Sequence, residues 1–257
     1  MRRIGSAFRH PLVILAIILL FLPYLLGLVG STVSLATEIL IFVIVGLGFN
    51  ILLGYTGLVS FGHGAYFGLA AYAAALTQLH FQKGMAIPIV VGVLSGAILG
   101  AIVGFLIMRK KGVYFALLTL AFTQMFFYVV YRATSVTGGE NGLGGIERLP
   151  VGILGFFVLD LRSPLNYYYV VYCFFVVSVY LMWRIVHSPF GAVLQAIRDN
   201  DERARCVGYD TKRYRYVAFI ISCTFVGLAG ALYVFLLCFA YPEAVGWVMG
   251  GDIVAMT

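Results

Sequence analysis

The chain has 257 residues, of which 62% are hydrophobic and 11% charged, and its mean hydropathy of +1.02 excludes an ordinary soluble domain and makes lipid the solvent for most of it. The formal net charge of +7 does not point to nucleic acid, because the basic residues gather in three clusters between apolar runs, as they do in the cytoplasmic loops of polytopic membrane proteins. The four cysteines, Cys173, Cys206, Cys223 and Cys238, show no CxxC spacing, so neither a disulfide framework nor a metal site is expected.

In chain order, apolar runs able to cross a hydrocarbon core of about 30 Å fall near 12–30, 35–53, 86–108, 113–131, 166–183 and 216–237, and a shorter run at 65–79 makes a seventh. The expected fold is therefore an all-α polytopic membrane protein, one helical bundle of about seven spans over residues 1–257. Met1 to Gly30 has the basic start and apolar core of a signal peptide, but that core runs to about 18 residues with no clear A-x-A site after it, and it reads as a retained first helix. Arg2, Arg3 and Arg9, then Arg109, Lys110 and Lys111, then the bases between Arg184 and Arg215 place the N-terminus, 109–112 and 184–215 in the cytoplasm, and 132–165 outside.

Parity makes one stretch unusual. Four crossings must separate the N-terminus from 109–112, so 65–79 must cross and 54–64 must face the cytoplasm, yet 54–64 has no Lys or Arg. A discontinuous helix, a break between two short helices sunk into the protein, is expected there, since irregular backbone survives at membrane depth only against protein or a water-filled cavity. Such breaks line transport routes, which makes Asn50, Gly54, Thr56, Gly57, Ser60, Gly62 and His63 candidate path residues. The plainer reading is close helix packing through glycine, with His63 as a packing histidine. Elsewhere glycine reads as packing alone: Gly92, Gly96, Gly100 and Gly104, and Cys223, Gly227 and Ala231, form small-residue stripes. Glu38 is the acid that falls within an early span, and a proton-coupling role would rest on it.

The segment from His187 to Phe219 is too polar to span. Ser188 suits an N-cap, Pro189 a first turn and Gly208 a left-handed end, which predicts one helix over 189–208, with Asp210 capping the next. An apolar edge of Val193, Leu194, Ile197, Ala204 and Val207 beside dense charge of both signs fits docking to a soluble partner, the alternative being a helix on lipid headgroups. No G-x-x-x-x-G-K-[ST] loop occurs, so ATP binding of the usual kind and any cofactor in this chain are not expected, and energy must come from a partner or a gradient. None of the four histidines has metal-ligand spacing.

Two motifs, "GLGFNILLGYTGLVSFGHGAYFGLAAYAAAL" and "SPFGAVLQAIRDNDERARCVGYDTKRYRYVAFIISCTFVGLAGALY", resemble the longer of the two permease subunits of branched-chain amino acid ABC transporters, with "TGGENGLGGI" at 137–146 similar to that family's external glycine-rich segment. The resemblance covers 35–245. It implies a permease in the bacterial inner membrane, working with a second permease subunit, two cytoplasmic ATP-binding subunits and a periplasmic solute-binding protein, and it implies no nucleic acid partner. It implies that 184–215 couples to the ATPase, with Glu202, Ala204 and Gly208 matching the family's contact loop and Ala196 and Arg198 on the same segment. Gly138, Gly139, Asn141 and Gly142, in the external 132–165 loop, become candidates for contact with the binding protein. The family continues with further spans past the point where this chain ends at "GWVMGGDIVAMT", so more spans than seven are expected of an untruncated chain. A permease for urea or short amides, and an ion-coupled transporter working alone, stay open as alternatives.

Overall fold

The computed structural model describes residues 18–28, 32–81, 84–110, 112–148, 151–153, 157–159 and 161–257. Helices dominate them: α1 (Leu22–Leu28), α2 (Val33–Thr56), α3 (His63–Phe81), α4 (Ala86–Ile107), α5 (Val113–Arg132), a single turn α6 (Thr134–Thr137), α7 (Pro164–Val186), α8 (Pro189–Asp199), α9 (Asp201–Cys206), α10 (Thr211–Leu237) and α11 (Trp247–Ala255). One short antiparallel ladder, β1 (Val151–Ile153) against β2 (Phe157–Leu159), with Gly152 opposite Val158, lies between α6 and α7 and leaves the all-α fold class as expected.

Among the described residues five helices, α2, α4, α5, α7 and α10, are long and apolar enough to cross a membrane, where seven spans are expected from sequence. Most of the first expected span lies outside the described residues, leaving only the short α1. The 65–79 segment does fold as a helix, α3, but Thr77, Gln78 and His80 and a run of alanines leave it less apolar than the five. It needs no lipid-like surface, because α4 and α10 enclose it and most of its residues are buried. Its ends still lie at opposite ends of the bundle: its start adjoins the break after α2, and near its finish Gln78 Nε2 donates to the Glu147 carbonyl in the 132–165 segment.

The core is built around α10, which packs against α2, α3 and α4. The two stripes, each expected to let backbones approach closely, pack against each other. A Cβ placed on Gly96 would lie 2.8 Å from the Cys223 carbonyl oxygen, and one on Gly100 2.6 Å from Cys223 Cβ, so α4 and α10 touch nearly backbone to backbone. Aromatic rings fill the space towards α2 and α3, with Phe42, Phe67 and Tyr233 in mutual contact. By contrast α5 and α7 expose apolar side chains such as Leu117, Met125, Val177 and Leu181, the surface a helix presents to lipid.

Candidate functional site: the helix break and the segments tied to it

The helix α2 stops because Gly57 adopts φ +69°, a left-handed conformation that costs glycine nothing. Gly57 N donates to the Leu53 carbonyl and Leu58 N to the Leu52 carbonyl, each at 3.2 Å, which satisfies the last turn in the Schellman manner. Residues 57–62 form the break, and Leu58, Ser60 and Gly62 within it are buried. The expected interruption is therefore present and sunk into protein, although the helices on either side are long.

His63 opens α3 fully buried. Its Nδ1 lies 3.0 Å from Ser60 Oγ and its Nε2 2.9 Å from Ser222 Oγ of α10, while Phe49, Tyr66 and Phe219 meet the ring edge-on. Neutral imidazole has one donor and one acceptor, and two hydroxyls satisfy both without water. Ser60 Oγ also accepts from Gly62 N at 3.2 Å, and Thr119 Oγ1 of α5 accepts from Phe61 N at 3.2 Å. Thus three helices are pinned at one break. Of the candidate path residues, Thr56, Ser60, Gly62 and His63 face protein, Gly57 is exposed, and Asn50 lies exposed on the open side of α2. Gly54 leaves room for the Asn50 amide, one turn earlier on the same face.

That open side forms a cavity of about 660 Å³ lined by Leu35, Glu38, Ile39, Phe42, Val43, Gly46, Leu47 and Asn50 of α2, together with Met256 and Thr257. Glu38 is half-buried there, and the Tyr233 hydroxyl donates to its Oε1 at 3.4 Å.

The segment 184–215 departs from the single helix expected over 189–208. It breaks at Asn200, whose backbone is extended (φ −158°, ψ 100°) and whose Oδ1 accepts from Arg203 N at 2.9 Å. Asparagine followed by two acids is a strong helix start, and it outcompetes continuation of α8. Ser188 occupies the expected cap position, but its hydroxyl turns back to donate to the Ile185 carbonyl at 2.6 Å instead of capping. Asp210 caps α10 as predicted, accepting from Arg213 N at 3.3 Å, and Gly208 takes φ +102°.

Two attachments join this segment to the bundle. Arg198 Nη1 of α8 donates to the Gly54 carbonyl at the end of α2, which puts the break and the charged segment at one end of the molecule. Asp201 at the start of α9 pairs with Arg215 of α10 at 2.7 Å and with Arg205 at 2.8 Å; Arg205 Nε also donates to Thr211 Oγ1 at 3.0 Å. The side chains of Asp201 and Arg215 are only 15% and 8% exposed, so this pair is shielded from water in a way the surface pair Arg213–Asp210 is not. Ala204 is buried with Val193 and Ile197 against Tyr214, while Ala196, Arg198, Glu202 and Gly208 are exposed.

At the opposite end the glycine-rich loop is shaped by contact with the chain that follows α10. Leu143 and Ala240 exchange backbone hydrogen bonds of 2.8 and 3.0 Å, and a Cβ on Gly142 (φ +68°) would sit 2.5 Å from the Ala240 carbonyl oxygen. Gly138 and Gly139 also have positive φ, and the exposed Asn141 ends the short turn between them and Gly142. Arg148 donates to the Phe235 and Leu236 carbonyls at 2.8 and 2.6 Å and lies 4.8 Å over the Tyr167 ring, closing the end of α10.

Residues 31–257 match the family model described as branched-chain amino acid transport system, permease component. The chain belongs to that family. Within this permease family it is 29% identical over 258 aligned residues to the high-affinity branched-chain amino acid transport system permease protein LivM of Escherichia coli (strain K12), and 27% identical to that of Salmonella typhimurium. Each alignment covers 93% of this chain and 61% of the relative. A probable LivM of Methanocaldococcus jannaschii is 25% identical over 149 residues, 56% of this chain and 41% of that protein. The chain thus spans about 61% of the length of the first two relatives. No solved structure matches it. As in other members of this permease family, the apolar helices make it a multi-pass membrane protein.

Sequence reasoning missed Ser222, Thr119, Asp201, Arg215 and Arg148. The first two are small hydroxyls inside apolar runs, and nothing local marks their distant partners. For Asp201 a signal exists, because Asn200–Asp201 is an N-cap pair in the middle of the predicted helix.

Proposed function

We propose that this chain is a permease subunit of an ATP-driven importer and forms part of the translocation path for branched-chain, hydrophobic amino acids. A periplasmic binding protein delivers the solute, a second permease subunit completes the path, and two ATP-hydrolysing subunits supply the energy. The chain sits in the bacterial inner membrane with its N-terminus and the 184–215 segment in the cytoplasm. The observation that carries this reading is the double attachment of 184–215: an exposed, charged segment on which a soluble partner can push is fixed to α2 through Arg198 and to α10 through Asp201–Arg215. A push on it therefore reaches both the helix that borders the open cavity and the helix at the centre of the core.

Exposed Ala196, Arg198, Glu202 and Gly208 are the contact residues for the ATPase, with buried Ala204 holding their frame. Gly138, Gly139, Asn141 and Gly142 shape the outer surface that the binding protein meets. Within the path, Asn50 is the exposed polar residue, while Gly54, Thr56, Gly57, Ser60, Gly62 and His63 build the break beside it. The deciding experiment is uptake of labelled leucine and labelled urea by cells with and without the gene. Loss of leucine uptake alone is expected. Loss of urea uptake alone would replace the cargo, and loss of neither would overturn the reading.

A further inference from the structure

Among the described residues, one face of α2 borders the cavity described above. Leu35, Ile39, Phe42 and Val43 give it an aliphatic and aromatic wall, and Glu38, Asn50 and Thr257 are the polar residues on the same cavity. Twelve residues separate Glu38 from Asn50, about 18 Å along a helix axis.

Glu38 is the odd member of this lining. It is half-buried, about 7.5 Å of helix from the start of α2, and among the described residues no lysine or arginine pairs with it. Its described partner is the Tyr233 hydroxyl, whose 3.4 Å approach to Oε1 leaves most of the carboxylate's acceptor capacity unused. Tyr233 is itself held edge-on by Phe42 and tilted against Phe67, so the hydroxyl is delivered by a packed ring. A carboxylate beside an apolar wall, with none of the described lysines or arginines against it, offers an acceptor to a cation that enters the cavity. A molecule with a primary ammonium group and a compact apolar body meets both the carboxylate and the wall.

We propose that Glu38 binds the α-ammonium group of the transported amino acid while the wall of Leu35, Ile39, Phe42 and Val43 holds its aliphatic side chain. This rests on the importer reading above and deepens it. The arrangement selects for a cationic head, so urea and simple amides, which carry none, gain nothing from it. Asn50, further along the groove, is a second polar stop towards the cytoplasmic end. The amino headgroup of phosphatidylethanolamine offers the same ammonium chemistry, and the test separates the two sources.

The importer is purified with its natural partner subunits and reconstituted in vesicles of phosphatidylglycerol and phosphatidylcholine, with and without phosphatidylethanolamine. Leucine uptake per ATP hydrolysed and ATPase stimulation by the loaded binding protein are measured for the wild type, Glu38→Gln and Glu38→Asp. Loss of a charge-assisted hydrogen bond is expected to lower uptake per ATP about tenfold or more in Glu38→Gln, with ATPase stimulation kept within about twofold, and Glu38→Asp should restore part of it. Wild-type uptake should not require phosphatidylethanolamine. Unchanged uptake per ATP in Glu38→Gln overturns the proposal. So does a joint fall of uptake and stimulation that Glu38→Asp does not relieve, which marks a structural carboxylate, and so does a defect seen only when phosphatidylethanolamine is present, which assigns Glu38 to the lipid. A wild type that moves no leucine at all instead refutes the importer reading itself.

Discussion

Replacing Asp201 by Asn should detach the 184–215 segment from α10 without unfolding the bundle. The substitution keeps the shape of the side chain and removes its charge, leaving the Arg215 guanidinium, 8% exposed, with no anion opposite it. Breaking a buried pair in this way costs about 3–5 kcal/mol, whereas losing the more exposed Arg205 contact, with Arg205 42% exposed, costs at most about 1 kcal/mol. The first term therefore decides the outcome. Because tenfold in an equilibrium constant is about 1.4 kcal/mol, amide hydrogen-exchange protection across 203–209 should fall at least about a hundredfold in Asp201→Asn and less than about tenfold in Arg205→Ala. Protection of the α10 core, Val226 to Phe235, should stay unchanged. Equal losses in the two variants, or a loss in Asp201→Asn that spreads evenly through α10, would refute the argument that one shielded ion pair carries the attachment.

Three other outcomes follow from the same geometry. His63→Ala removes the partner of both Ser60 and Ser222 and leaves a void, so thermal stability of the purified protein should drop by about 2–5 kcal/mol while the KM for uptake stays within about twofold; a shift in KM at intact stability would place His63 in the path. Gly230→Ala would press a methyl group into the Phe67 carbonyl where α10 crosses α3, whereas Gly251→Ala meets nothing within 4 Å, so the first should abolish accumulation in the membrane and the second should be neutral within about 0.5 kcal/mol. Arg148→Lys keeps the charge but loses the fork that spans the Phe235 and Leu236 carbonyls, and should lower the melting temperature nearly as much as Arg148→Ala.

What could be read from the sequence was whatever repeats or caps locally. The α4 and α10 stripes, the break before His63 and the start of α10 at Asp210 all depend on residues within a turn or two of each other, and all are present. The span count failed where composition and surroundings part company. α3 is enclosed by protein, so its surface is chosen by α4 and α10 and not by lipid, and apolarity underrates it. The single helix over 189–208 failed because it rests on the caps at its two ends, while the Asn200 side chain in its middle offers the backbone a better arrangement. The pairing of His63 with Ser222 joins residues 159 apart, and that of Arg198 with Gly54 joins residues 144 apart. No periodicity encodes such partners.

The near-contact of α4 with α10 also limits how this protein can move. Two helices slide past each other only when flexible side chains between them can change rotamers, and here the Cys223 carbonyl faces bare Gly96 with no such layer. That seam therefore holds α4 and α10 together as one closely packed unit. The irregular backbone at 57–62 and the turn after Cys238 flank this pair, and both are tied by hydrogen bonds to other parts of the bundle, so any rearrangement of the pair would strain those ties first.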